Sequence, residues 1–292
     1  MRSKNEDVHK FGDDCGLRHD GRGIVETFAK DGFETCVLTR DPSRIDDLPE
    51  NATAISDLPG TAPDLIIESI PEDMALKHEL FTKLEKAYGG TSILATNTSG
   101  LPIDEVAAPL AHKDKFIAVH YMQPAEAFPL VEVCRLNETT DDVMEATVEA
   151  LARSGKESII LQKPVIGFLI NRLQHALLHE AYCMIEEGIV SAADVDKFAR
   201  RGFGPRMCVT GLIEQKDISG IDVNAAAQRS IVPDLNHSGK PCQMLQDMAA
   251  RGDIGVKSGK GFYDWAERDV DAYRKLAAAK LDRLWIALSG EE

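Results

Sequence analysis

The 292 residues suffice for two domains with cores of their own, and 43% hydrophobic with 28% charged residues is the make-up of a globular chain. With 33 Lys and Arg against 48 Asp and Glu the net charge is −15, which argues against nucleic acid or an anionic membrane surface as partner. A small anion held by a local group of basic side chains stays open. No apolar run approaches membrane length, and residues 1–7 lack the apolar core of a signal peptide. The six cysteines show no Cys-x-x-Cys and no histidine at metal spacing, so no metal site is expected and a reducing cytoplasm is.

The chain opens poorly for a buried strand: Phe11-Gly12-Asp13-Asp14-Cys15 places two adjacent aspartates where a sheet centre takes none. A dinucleotide turn wants Gly-x-Gly-x-x-Gly between strand and helix. The first glycine makes the turn, the second admits the pyrophosphate and the third lets helix pack on strand. The matching stretch runs from Gly16 to Gly21, with Arg18 where the second glycine belongs. Read one nucleotide later, the codons for residues 12–21 permit Val-Met-Ile-Ala-Ala-Ser-Gly-Thr-Met-Gly, an apolar strand entering a full glycine turn. Two readings stand side by side. One is a frameshift over the N-terminal residues, which an intact frame on resequencing would reject; the other is plain divergence, in which Arg18 crowds the pyrophosphate.

Residues 21–33 read as a helix closing at Gly32, and 34–39 as a strand. Strand two ends Thr39-Arg40-Asp41. An acid at that place binds the ribose hydroxyls of NAD, whereas an arginine suits a 2′-phosphate. Thr39 holds the aligned position and Arg40 follows, which leans towards NADP; a solvated loop arginine reads equally well. Residues 41–56 form a short loop with Pro42 and Pro49.

Residues 64–68 and 92–96 are two buried strands, with helices at 74–87 and 103–110. Apolar runs at 116–119 and 131–136 follow, then a helix at 140–154 and a strand at 158–161. Helices alternating with near-continuous apolar strands mark a parallel sheet covered on both faces. Beyond Lys163-Pro164 the periodicity is helical at 168–187, 192–201, 223–231, 243–251 and 269–288, with no convincing strand. The expected fold is α/β: a Rossmann-type doubly wound sheet over 1–163, followed by an all-helical C-terminal domain over 164–292.

His120 closes one apolar run, and Glu132 sits twelve positions later in the next, across a turn rich in Pro and Ala. On neighbouring strands the two can meet, and a carboxylate beside imidazole makes a proton acceptor near neutral pH. On spacing alone, a satisfied core histidine is the commoner outcome.

Taken together, Asn97-Thr98-Ser99, the run from His120 to Pro124, Leu130-Val-Glu-Val133, Gly167-Phe-Leu-Ile-Asn-Arg-Leu173 and Lys257-Ser-Gly-Lys-Gly-Phe-Tyr263 resemble the 3-hydroxyacyl-CoA dehydrogenase family over about residues 21–265. The resemblance implies oxidation of a 3-hydroxyl to a ketone with NAD, and a homodimer formed by the helical domain. It makes His120 the base, Glu132 the acid orienting it, Ser99 a donor to the substrate oxygen and Asn171 support for the substrate carbonyl from across an interdomain cleft. It sets Glu72 and Lys77 near the nicotinamide ribose, Gln123 beside the nicotinamide and Lys257 near the cofactor, with Gly16, Gly21, Thr39 and Arg40 at the adenine end. Taken singly, Asn171 reads as a helix cap, Ser99 as a turn residue, Glu72 and Lys77 as helix charges and Lys257 as a loop lysine.

Three departures qualify the match. Arg18 alters the glycine turn, Gln123 replaces the family's usual asparagine, and residues 41–56 are too short for the helical hairpin with which the family holds coenzyme A. The first expectation is a 3-hydroxyacyl-CoA substrate, the second a free 3-hydroxy acid, and the third a non-catalytic homologue that lost tight cofactor binding.

Overall fold

A computed structural model of the chain describes the backbone of residues 8–12 and 19–20 and all of residues 21–288. The chain divides into two compact units, Met1–Arg172 and Leu173–Glu292. The first holds an eight-stranded sheet built from β1 (Val8–Gly12), β2 (Thr35–Thr39), β3 (Ala52–Ile55), β4 (Leu65–Glu68), β5 (Ile93–Thr96), β6 (Phe116–Tyr121), β7 (Leu130–Arg135) and β8 (Glu157–Leu161). Its order is β3-β2-β1-β4-β5-β6-β7-β8, so the chain leaves β1 towards one edge and returns through β4 towards the other. That reversal is the doubly wound pattern, whose ligands bind outside the carboxyl ends of the strands.

Helices α1 (His19–Lys30), α2 (Met74–Tyr88), α3 (Ile103–Val106) and α4 (Asp141–Arg153) cover the two faces. Side chains alternate across a strand, and β4 shows it. Leu65 and Ile67 pack with Ile24, Phe28, Val143 and Leu151 from α1 and α4. Ile66 joins Leu80, Phe81, Leu84 and Val106 from α2 and α3. Helix α2 begins where the Asp73 carboxylate accepts from the Ala75 and Leu76 amides at 2.9 and 3.0 Å. It stops at Gly89, left-handed at φ 58°. Such caps contribute about 1 kcal/mol each.

Three sequence expectations are corrected here. The opening residues do form a strand, and a central one: β1 pairs in parallel with both β2 and β4. It ends at Gly12, before the two aspartates that argued against it; these, Gly16 and Arg18 lie outside the described residues. The short loop after β2 contains a further edge strand, β3. The sheet is not wholly parallel, since β7 runs antiparallel to β6.

The second unit is helical: after α5 (Ile170–Glu186), which begins in the first unit, come α6 (Ala192–Phe198), α7 (Gly204–Thr210), α8 (Glu214–Ser219), α9 (Ile221–Ile231), α10 (Gln243–Ala250) and α11 (Val270–Leu288). Helices α7 and α8 were not expected from the periodicity. Among the described residues of this unit only Cys183 and Cys242 are buried. Many of its apolar side chains are exposed, Val209 and Ile213 at 70% and 73%.

Candidate active site

His120 and Glu132 are register partners across the antiparallel β6–β7 pair. His120 Nδ1 lies 2.8 Å from Glu132 Oε2. Both are buried, at 6% and 1% exposure. An ionised carboxylate only accepts, so Nδ1 carries the proton of this bond and Nε2 is the nitrogen able to take another. The second carboxylate oxygen, Oε1, accepts the amides of Leu169 and Ile170 at 2.8 and 3.0 Å, at the start of α5. Burial pushes the Glu132 carboxyl upward. The His120 hydrogen bond and the two amides outweigh it and hold the group below the usual carboxylate range.

Those amides are aimed by an unusual turn. Gly167 and Phe168 both take left-handed backbone, at φ 81° and 50°. For phenylalanine this conformation costs about 1–3 kcal/mol. The ring offsets it: Phe168 is fully buried and stacks on the His120 imidazole, centroids 4.7 Å apart and planes at 21°. Asn171 stands half-buried inside the first turn of α5, so it is a helical residue rather than the cap before the helix.

His120 lines a cavity of about 130 Å³ with Tyr121, Ser69, Glu72, Asn97 and Ser99. At about 30 Å³ per water, that is room for roughly four waters or the reacting end of a small molecule. Asn97 ties its walls together, accepting from the Tyr121 amide and donating to Ser69 Oγ, each at 2.8 Å. Glu72 organises the opposite side. Its Oε1 accepts the Ser99 amide at 2.6 Å, the Ser99 hydroxyl at 3.1 Å and the Gly100 amide at 3.2 Å, while Thr98 Oγ1 donates to both oxygens. Partial burial raises the Glu72 carboxyl, but the Ser99 amide, the Thr98 hydroxyl and Lys77 keep it below the ordinary carboxylate range.

Lys77 is 1% exposed, so its ammonium acts within the protein. It binds Glu68 Oε1 at 2.6 Å and lies 3.6 Å from Glu72 Oε2. Glu68 also accepts from the Ile70 amide at 2.7 Å and the Thr96 hydroxyl at 2.6 Å. Sequence reading passed over Glu68, because an acid closing an apolar strand reads as the strand's solvated end. Its signal was Lys77, a cation nine positions on and on the inner face of α2.

Two further groups were missed. Lys156 is buried and donates to the carbonyls of Ala125 and Phe128, each at 2.7 Å, and of Glu126 at 3.4 Å, fixing the connection from β6 to β7. Gly23, beyond the predicted glycine pattern, packs against that connection so closely that a Cβ would lie 2.3 Å from Glu126 Oε2. Gln123, exposed, precedes Pro124 in the same connection through a cis peptide.

At the adenine end of the expected site Gly21 is buried in α1. Thr39 and Arg40 line a neighbouring cavity of about 430 Å³ at the carboxyl ends of β2 and β3, with Ser56, Glu79 and Lys83, and the two cavities share Ile70 and Pro71. Its volume and its place beside the strand ends fit the adenosine half of a dinucleotide. Lys257 is exposed in a loop of the second unit. Among the described residues no helix is long and apolar enough to cross a membrane.

Comparison with known proteins bears on this arrangement. The family model for the NAD binding domain of 3-hydroxyacyl-CoA dehydrogenase matches residues 52–164, and that for its C-terminal domain matches 167–265. A probable 3-hydroxybutyryl-CoA dehydrogenase of Bacillus subtilis is 32% identical over 206 residues, 70% of each chain. The 5-formyl-3-hydroxy-2-methylpyridine 4-carboxylate 5-dehydrogenase of Mesorhizobium japonicum is 28% identical over 230 residues, 78% of this chain and 74% of its own. A solved structure of an enzyme of that activity, described as an NAD⁺-dependent dismutase, has the same fold. It superposes with a TM-score of 0.88 at 22% identity, over 99% of this chain and 100% of the other. With two matched domain models spanning most of its length on a sheet of this topology, the chain belongs to the 3-hydroxyacyl-CoA dehydrogenase family and is an NAD-dependent oxidoreductase of that type.

Proposed function

We propose that the protein transfers a hydride between the hydroxyl-bearing carbon of a small, free hydroxy acid and NAD, with His120 as the proton acceptor. The observation that carries this reading is the buried His120–Glu132 pair beside a cavity of molecular dimensions. The cofactor supplies the hydride acceptor. In the oxidative direction His120 Nε2 takes the hydroxyl proton as the hydride leaves carbon, and Glu132, fixed by two backbone amides, holds the ring and stabilises the imidazolium. Ser99, with its hydroxyl and amide already drawn onto Glu72, orients the substrate oxygen. In this reading Asn171 faces the substrate carbonyl, Gln123 the nicotinamide and Glu72 the nicotinamide ribose.

A free acid is favoured over a coenzyme A thioester by the connection after β2. It contains one short helical turn, Pro42–Arg44, and the edge strand β3, where the family's long hairpin holds coenzyme A. The pyridine carboxylate relative supports the same view, since the substrate in its name is a free carboxylate. A 3-hydroxyacyl-CoA remains the second reading, favoured by the Bacillus subtilis relative. Steady-state assays with NAD on 3-hydroxybutyryl-CoA, free 3-hydroxy acids and aromatic carboxylates bearing a hydroxymethyl or aldehyde group separate them. We expect kcat/KM for one of the free acids to exceed that for the thioester by at least about tenfold. The opposite ranking overturns the free-acid reading, and inactivity on every substrate with cofactor bound favours a non-catalytic homologue.

The protein also acts as a homodimer in this proposal. What supports this is a helical unit in which, among the described residues, two are buried while Val209, Ile213, Ile218 and Ile221 are exposed. Sedimentation at micromolar concentration is expected to give twice the chain mass; a monomer would refute the assembly.

A further inference from the structure

We infer that the cavity at the carboxyl ends of β2 and β3 binds the 2′-phosphate of a phosphorylated adenine dinucleotide, so that the protein takes NADP as well as NAD. The inference rests on the dinucleotide reading above and deepens it at the adenosine end, some distance along the chain from the hydride chemistry.

An NAD site places a carboxylate at the end of β2 to accept from the ribose 2′-hydroxyl. Here that position is Thr39, whose hydroxyl accepts from the Asp41 amide at 3.4 Å. Among the described residues the acid that follows this strand end is Asp41, and its carboxylate is engaged in its own turn. Oδ1 accepts from the Ser43 amide at 3.2 Å and the Ser43 hydroxyl at 2.6 Å, and Oδ2 pairs with Arg44 at 3.1 Å. It caps the helical turn Pro42–Arg44 and is not among the residues that line the cavity.

What lines the cavity is suited to a phosphate. Arg40 brings a planar guanidinium, whose fork matches phosphate oxygens, and Lys83 a second cation from α2. Thr39 and Ser56 add hydroxyls. Glu79 is the carboxylate on the wall among the described residues, and Lys83 stands four residues on along the same helix. Among the described residues the wall thus offers Arg40 and Lys83 beside Glu79, in a chain whose net charge is −15. Basic side chains gathered at the strand ends of so acidic a protein suit a phosphorylated ligand.

Fluorescence titration of the full chain with NADH and with NADPH reads this without any substrate, with 2′,5′-ADP as a competitor of the adenosine end. NADPH is expected to bind at least as tightly as NADH and to be displaced by 2′,5′-ADP. Arg40→Ala should lower the ratio of NADPH to NADH affinity by about tenfold to 100-fold, the loss of one or two charge-assisted bonds. Thr39→Asp, which places an anion at the end of β2, should move the ratio the same way, and circular dichroism checks that both variants fold. Tight NADH binding with NADPH at least tenfold weaker overturns this proposal alone, as does an Arg40→Ala variant with an unchanged ratio. Binding of neither dinucleotide overturns the dehydrogenase reading and this proposal with it.

Discussion

His120→Gln is expected to lower kcat by about 100-fold or more, the usual loss when a positioned general base is removed. At 1.36 kcal/mol per tenfold this is at least about 2.7 kcal/mol of transition-state stabilisation. Gln keeps a donor that can reach Glu132, so the carboxylate stays paired and the β6–β7 register is not left with an orphaned charge. What it lacks is an acceptor of suitable basicity in place of Nε2. The loss should therefore fall on the hydride-transfer step in single-turnover absorbance at the nicotinamide band, while dinucleotide affinity stays within about threefold, since no adenine-end group is touched. Turnover equal to wild type would make the histidine a structural one, stacked on Phe168 and no more.

On spacing alone that histidine read as a core residue; the surrounding motifs singled it out, and two short apolar runs joined by a turn allow the pairing with Glu132 that the sheet shows. The direction of the pairing was not legible. A buried strand reads the same whether its neighbour is parallel or antiparallel, so the expectation of an all-parallel sheet failed at β7 for want of any signal in hydrophobic periodicity. Strand β1 was missed for a different reason. Asp13 and Asp14 were read as part of it, whereas it ends at Gly12, and strand ends are the least determined feature of a pattern. Phe168 illustrates a third limit. Nothing in Gly-Phe-Leu-Ile announces a left-handed phenylalanine, because that backbone is held by tertiary contacts: the ring on His120 and the two amides on Glu132. The groups that bind one another tightly, such as Lys156 and its three carbonyls, were likewise invisible until the chain had brought them together.

Lys77→Met carries the largest expected effect on stability, about 3–5 kcal/mol, as for removing one partner of a buried ion pair. Lys77 and Glu68 are 1% and 0% exposed, and their 2.6 Å contact is the only cationic one Glu68 makes among the described residues. Without it the carboxylate keeps the Ile70 amide and the Thr96 hydroxyl, too little to hold a charge out of water. In a unit of this size each 1 kcal/mol shifts the melting temperature by about 2–4 °C, so thermal unfolding should fall by roughly 6–20 °C. The pair is also wired to the site. Glu72, 3.6 Å from the same ammonium, holds the Ser99 turn, and its loss of a counter-charge should loosen substrate positioning. If the cost is an uncompensated charge rather than lost packing, adding Glu68→Gln to Lys77→Met must restore much of the stability, because the two changes share one interaction and do not add. A single variant within about 1 kcal/mol of wild type, or a double variant no better than the sum of its parts, would show that this buried pair is not what anchors α2 to the carboxyl end of β4.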